Sequence, residues 1–216
     1  MATDRKFLIN IGFQEINFEP ITPKAILHKK AKKTDLISNV NAGGNLHLLV
    51  SIKFCEIIKK FRKSGVQFFY SSLLTSMNIE IADYFSMNMF IDNNEFIDIK
   101  KSIIKHYRKS DDYELSYKTN VEMKSFVTYE SFTQALQVAN QKNETFYIDK
   151  IRLIDNVSED FFMLRHVEGG VKYVVSEKFK KEIEDAACTG IEFQPSELSL
   201  AEWLQGGESA KVYGKT

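Results

Sequence analysis

Between Leu48 and Leu73 the chain reads LLVSIKFCEIIKKFRKSGVQFFYSSL. Phe54, Ile57, Ile58 and Phe61 recur there at i, i+3, i+4 and i+7, the spacing of one apolar stripe on an amphipathic helix. Ser51 stands at the N-cap position, where its hydroxyl can accept from a free amide of the first turn. Gly65 marks the stop, because a glycine takes the left-handed C′ conformation without a Cβ penalty. Val66 and Phe68 then alternate as a half-buried strand.

The same pattern returns 125 residues later in YVVSEKFKKEIEDAACTGIEFQPSEL. Without a gap, Val50 falls on Val175, Ser51 on Ser176, Lys53 on Lys178, Phe54 on Phe179, Ile58 on Ile183, Gly65 on Gly190 and Phe68 on Phe193. Upstream, Asp35 meets Asp160 and Gly44 meets Gly169. In this copy Ser176 is the cap, Phe179, Ile183 and Ala186 or Ala187 form the stripe, Gly190 is the stop, and Ile191 and Phe193 alternate. Each copy therefore predicts strand, capped helix, strand.

Elsewhere, KFLINIGF alternates weakly as an edge strand before the break at Pro20 and Pro23. Phe85, Met87, Met89 and Ile91 share a strand face that turns at Asn93-Asn94 and resumes at Phe96, a predicted hairpin. Thr128 caps a helix with Phe132, Ala135, Leu136 and Ala139 inside, and FYIDKIRLI (146–154) reads as a strand. The fold class is α+β, a duplicated strand-helix-strand unit joined by a central β-hairpin and helix. The expected domains are an N-terminal half, 1–125, with the first repeat (35–73) and the hairpin, and a C-terminal half, 126–205, with the second repeat (160–198). A flexible tail is expected at 206–216.

At 216 residues the chain has room for a sizeable core, and 44% hydrophobic with 27% charged residues is the balance of a folded globular protein. Net charge is zero, so an electrostatic partner must be selected by a local patch. The N-terminus lacks the pattern of a secretory signal and no apolar run is long enough to span a bilayer, which predicts a cytoplasmic protein without a membrane partner. Cys55 and Cys188 belong to no CxxC or Cys/His cluster and read as reduced structural thiols. His28, His47, His106 and His166 show no metal-ligand spacing, NAGGN at 41–45 is no phosphate loop, and no nucleophile elbow is present. No catalytic, cofactor-binding or metal-binding residue is predicted.

Charge is most one-sided between Met77 and Ile99, which carries Glu80, Asp83, Asp92, Glu95 and Asp98 and no lysine or arginine. These five carboxylates are the candidate partner-binding residues, a surface for a basic partner. The five lysines of KAILHKKAKK and the helix face Lys53, Lys59, Lys60, Arg62 and Lys63 offer phosphate contacts. The second copy replaces that face with Glu182, Glu184 and Asp185, so nucleic acid ranks below protein as a partner. A small enzyme using Cys55 or a carboxylate pair assembled in space is the alternative from another class.

DFFMLRHVEGGVKYVVSEKFKKEIEDAACTGIEF resembles the tail of immunity proteins from bacterial polymorphic toxin systems, a group long catalogued as a domain of unknown function. Its first element aligns with Asp160, Phe161, Phe162, Met163 and Leu164, its second with Val175, Ser176, Glu177, Phe179 and Lys180, and its third with Gly190, Ile191 and Phe193. Met163 stands where the family has arginine, with Arg165 displaced along the chain. NMFIDNNEFIDIKKS is similar to the family's central strands. The resemblance covers about half the chain and implies stoichiometric neutralisation of a cognate toxin domain, with no catalytic residue.

Overall fold

The structure, a computed structural model, describes residues 6–22, 24–37, 48–77, 79–81, 84–108, 120–142 and 144–214. In chain order the elements are β1 (Ala25–Ile26), β2 (Leu36–Ile37), β3 (Leu48–Ser51), α1 (Ile52–Phe61), β4 (Val66–Tyr70), β5 (Leu73–Leu74), β6 (Glu80–Ile81) and β7 (Tyr84–Met89). They continue with β8 (Ile103–Arg108), β9 (Asn120–Lys124), α2 (Tyr129–Gln141), β10 (Thr145–Lys150), β11 (Phe161–Val167), β12 (Gly170–Val175), α3 (Glu177–Asp185), α4 (Leu200–Gln205) and α5 (Glu208–Tyr213). Helices and open sheets both contribute, and the fold is α+β.

The chain forms two compact units. The first takes Met1–Asp92, Glu159–Met163 and Val175–Glu192; the second takes Asn93–Ser158, Leu164–Val174 and Phe193–Thr216. These bounds differ from the two consecutive halves expected from the sequence, because the helix of the second repeat joins that of the first. The apolar stripes explain this: Phe61 of α1 meets Phe179 of α3 edge-on at 5.0 Å, and Phe179 stacks on Phe161 at 5.0 Å. Each stripe is the other's cover.

In the first unit, β2, β3, β7 and β4 form an antiparallel sheet in that order. Met87 and Met89 are buried as predicted, but so are Ser86 and Asn88 on the opposite face, as befits a central strand. The predicted caps are formed: Ser51 Oγ accepts from Phe54 N at 3.2 Å and Ser176 Oγ from Phe179 N at 3.1 Å. The glycine stops are displaced: Gly65 and Gly190 have φ of +74° and +80°, but the helices already end at the C-caps Arg62 and Ala186, and in the second copy Ala187, with φ of +49°, takes the left-handed C′ position. A second, three-stranded sheet has the order β1-β5-β6, with β1 and β5 parallel and β6 antiparallel.

The second unit is built on the sheet β12-β11-β10-β8-β9. Alternation puts Ile104, His106, Phe146 and Ile148 on one buried face, where α2 packs with Phe132, Leu136 and Ala139 inside. Thr128 caps α2 in a capping box with Ser131.

Four local expectations are corrected. The central hairpin does not form: β7 ends at Met89, a 3-10 turn follows at Asn94–Phe96, and β8 pairs with β9 and β10. Asn93 has φ −123°, whereas a two-residue hairpin loop needs positive φ, and no glycine is there to supply it. Residues 191–195 form no strand, so the second copy lacks its closing element. KFLINIGF is a 3-10 turn at Leu8–Asn10 flanked by one bridge from Phe7 to Ile21, with Leu8, Ile11 and Ile16 clustered inside. The tail forms α5, anchored by an edge-on contact between Tyr213 and the buried Trp203.

Candidate functional site

The small sheet of the first unit has an inner and an outer row. Leu73, in register with Ala25 and Ile81, is buried against Leu49 and Tyr84. The outer row is Ile26, Leu74 and Glu80, neighbours across three strands. Ile26 is 66% exposed, and the turn after β5 carries Met77 at 76% and Ile79 at 57%. That turn is tied down, since Thr75 N donates to Ile79 O at 2.9 Å and Thr75 Oγ1 accepts from the amides of Met77 and Ile79.

Glu80 ends the outer row. Its Oε1 accepts from the Tyr70 hydroxyl at 3.1 Å and from Ser72 Oγ. The Ser72 bond, then that from Tyr70, holds the carboxyl below its ordinary value, so the group is ionised at neutral pH. Oε2 has no hydrogen-bond partner among the described residues. The Tyr70 ring, 44% exposed, meets Phe85 edge-on at 6.3 Å and is braced in place. Isoleucine, leucine, methionine and tyrosine around one oriented carboxylate is the composition of a protein-binding surface.

The other predicted carboxylates stand elsewhere. Asp83 lies outside the described residues. Asp92 is half-buried in the first unit. Glu95 and Asp98 belong to the second unit: Glu95 accepts from Asn93 Nδ2 at 3.0 Å, and Asp98 pairs with Lys101 at 3.0 Å, which lowers its pKa. The predicted acidic hairpin face is therefore replaced by one carboxylate, Glu80, in an apolar setting.

The basic face of α1 is largely neutralised within its own unit. Lys53 pairs with Asp35, Lys59 with Glu56, Lys60 with Glu182, and the buried Arg62 with Glu159. Burial pushes both thiols up, and Cys55 is fully enclosed, an environment that suppresses thiolate. An open groove of about 430 Å³ is lined by Lys6, Asn10, Ile11, Gln14 and Phe18. Among the described residues no three His, Cys, Asp or Glu side chains gather as a metal site, and no helix is long and apolar enough to cross a membrane.

A polar cluster in the second unit is invisible in the sequence pattern. The register aligns Met123, Lys105 and Tyr147 across β9, β8 and β10. A β-bulge at Asp149 turns its buried carboxylate toward Lys105, 2.9 Å away. This ion pair raises the Lys105 pKa. Tyr107 and Tyr147 stack at 4.8 Å with their hydroxyls in contact, and burial raises the Tyr147 phenol. Lys172 is half-buried and its pKa is lowered by that burial. Two lysines balance Asp149 and Glu168 here, so the cluster carries no excess charge.

No protein-family model matches the chain, and no curated protein is significantly similar to it.

Proposed function

We propose that this protein is an immunity protein that binds and neutralises a cognate bacterial toxin domain by stoichiometric protein–protein inhibition in the cytoplasm. The observation that carries the reading is the outer row of the small sheet, where Ile26, Leu74, Tyr70 and the Met77–Ile79 turn present apolar surface around a fixed carboxylate. Such surface costs solubility unless a partner covers it. The family resemblance of 160–193 supplies the kind of partner, a toxin domain. Inhibition of this kind needs a rigid face rather than reacting groups, and the tied Thr75–Ile79 turn and braced Tyr70 provide one.

Co-expression with the toxin-like protein encoded immediately upstream tests this. Restored growth together with a co-purifying complex is the expected result. A neighbour that still kills in the presence of abundant folded protein would remove the reading.

A further inference from the structure

We infer that the outer row of the small sheet binds a cationic side chain, an arginine or lysine set among apolar residues on the partner, with Glu80 as its anchor. Glu80 is fixed from one side only. Both of its hydrogen bonds, from Tyr70 and Ser72, arrive at Oε1, and Oε2 accepts none from the described residues. A carboxylate on a flexible stem ordinarily loses rotamer freedom when it pairs. Here that ordering is already done by the fold, so an incoming cation gains the pair with less entropy lost. Leu74, its cross-strand neighbour, and Ile26 beyond it would shield the pair from water and strengthen it.

Charge decides the partner's chemistry. An acidic or phosphate-bearing partner would meet the ionised Glu80 head-on, and like charge in an interface suppresses the wrong partner. Of the five predicted carboxylates, Asp98 is paired with lysine and Glu95 is engaged by Asn93. Glu80 forms its hydrogen bonds with neutral hydroxyls, and Lys24 acts on it only through space, without an ion pair.

This inference rests on the toxin-binding reading for the partner's identity but not for its chemistry, so two experiments separate them. In the first, the full chain is panned against a phage-displayed random peptide library, with Glu80→Lys and Met77→Asp chains as comparators. Both substitutions are at exposed positions, and circular dichroism with thermal melting verifies folding. The expected peptides carry arginine or lysine between apolar residues and bind Glu80→Lys about tenfold or more weakly. They bind Tyr70→Phe a few-fold more weakly and lose affinity as salt is added. Recovery of peptides without a cation, equal binding to Glu80→Lys, or no enrichment at this surface would overturn the inference.

In the second, Glu80→Lys is co-expressed with the upstream toxin. Rescue by both the parent chain and Glu80→Lys overturns this surface while leaving the immunity reading standing. Failure of the parent chain to rescue, with cationic peptides behaving as expected, removes the immunity reading and leaves the surface.

Discussion

Asp160 accepts a 2.7 Å hydrogen bond from Ser176 Oγ through Oδ1, and 125 residues earlier Asp35 accepts the same 2.7 Å bond from Ser51 Oγ. The backbone repeats it: Ser51 N donates to Asp35 O at 2.8 Å and Ser176 N to Asp160 O at 2.9 Å. Lys53 and Lys178 complete the pairs at 3.2 and 3.4 Å. Each cap serine is thus oriented by a distant aspartate, so the helix start and the strand entry are fixed together. The two helices also meet reciprocally: Lys53 Nζ donates to Ala186 O and Ala187 O near the end of α3, and Lys178 lies over Phe61 at the end of α1. The two sequence repeats thus build matching helix starts that pack against each other.

Cap removal gives the first prediction. Ser51→Ala and Ser176→Ala each cost about 1 kcal/mol in urea unfolding. Asp35→Ala costs more than Asp160→Ala, because Asp35 Oδ2 also accepts from Thr189 N at 2.9 Å and Thr189 Oγ1 at 3.1 Å. Equal losses at the two aspartates would show that the Thr189 bonds contribute nothing.

The capped helices were legible because caps and stripes are local, spanning a few residues whose spacing states their geometry. Ser51, Ser176 and Thr128 stand where the pattern puts them, whereas Gly65 and Gly190 lie beyond the C′ positions that the pattern gave them, past the C-caps Arg62 and Ala186. The candidate surface was legible only at Glu80. Its floor comes from parallel pairing of two-residue strands, Ala25–Ile26 with Leu73–Leu74, and two residues carry no periodicity. Tyr70 and Ser72 hold Glu80 through side chains ten and eight residues away, a relation with no sequence signature. The hairpin at Asn93-Asn94 failed for a local reason, since asparagine tolerates positive φ but does not impose it. Asp149 was hidden by a bulge, which breaks the alternation used to assign faces.

The two left-handed glycines at 169 and 190 differ in their surroundings, which gives the second prediction. A Cβ at Gly190 would lie 2.4 Å from Leu36 O and 2.7 Å from Thr34 Cβ, whereas one at Gly169 would meet nothing within 4 Å. Gly169→Ala therefore costs only the conformational strain, about 1 kcal/mol. Gly190→Ala adds a backbone clash and costs about 3 kcal/mol or more. Thermal melting of both variants against the parent chain measures the difference, and similar losses would mean that the Leu36 segment yields freely.

Thiol chemistry supplies a third prediction. Burial raises both cysteines, with Lys59 offsetting part of it at Cys55 and Lys53 part of it at Cys188. Alkylation by iodoacetamide at neutral pH is expected to be slower at each than in the urea-unfolded chain, and slowest at the enclosed Cys55. A cysteine that reacts faster folded than unfolded would restore the thiol-enzyme alternative.

Acid stability follows from Asp35. Burial pushes its carboxyl up, but the hydrogen bonds from Ser51, Thr189 and Lys53 together outweigh burial and leave it below its ordinary value. A folded-state pKa below the unfolded one, about 3.9, makes the carboxylate a stabiliser that is fully present above that unfolded value. Its contribution falls away as pH drops through the folded value, where the native state too must take up the proton. Asp35→Asn removes this term at every pH. The urea midpoint of the variant should therefore lie well below that of the parent at pH 7 and approach it as pH falls through the lowered folded-state value. A gap that stays constant across that range would show that the Asp35 contacts stabilise by shape alone, with the charge contributing nothing.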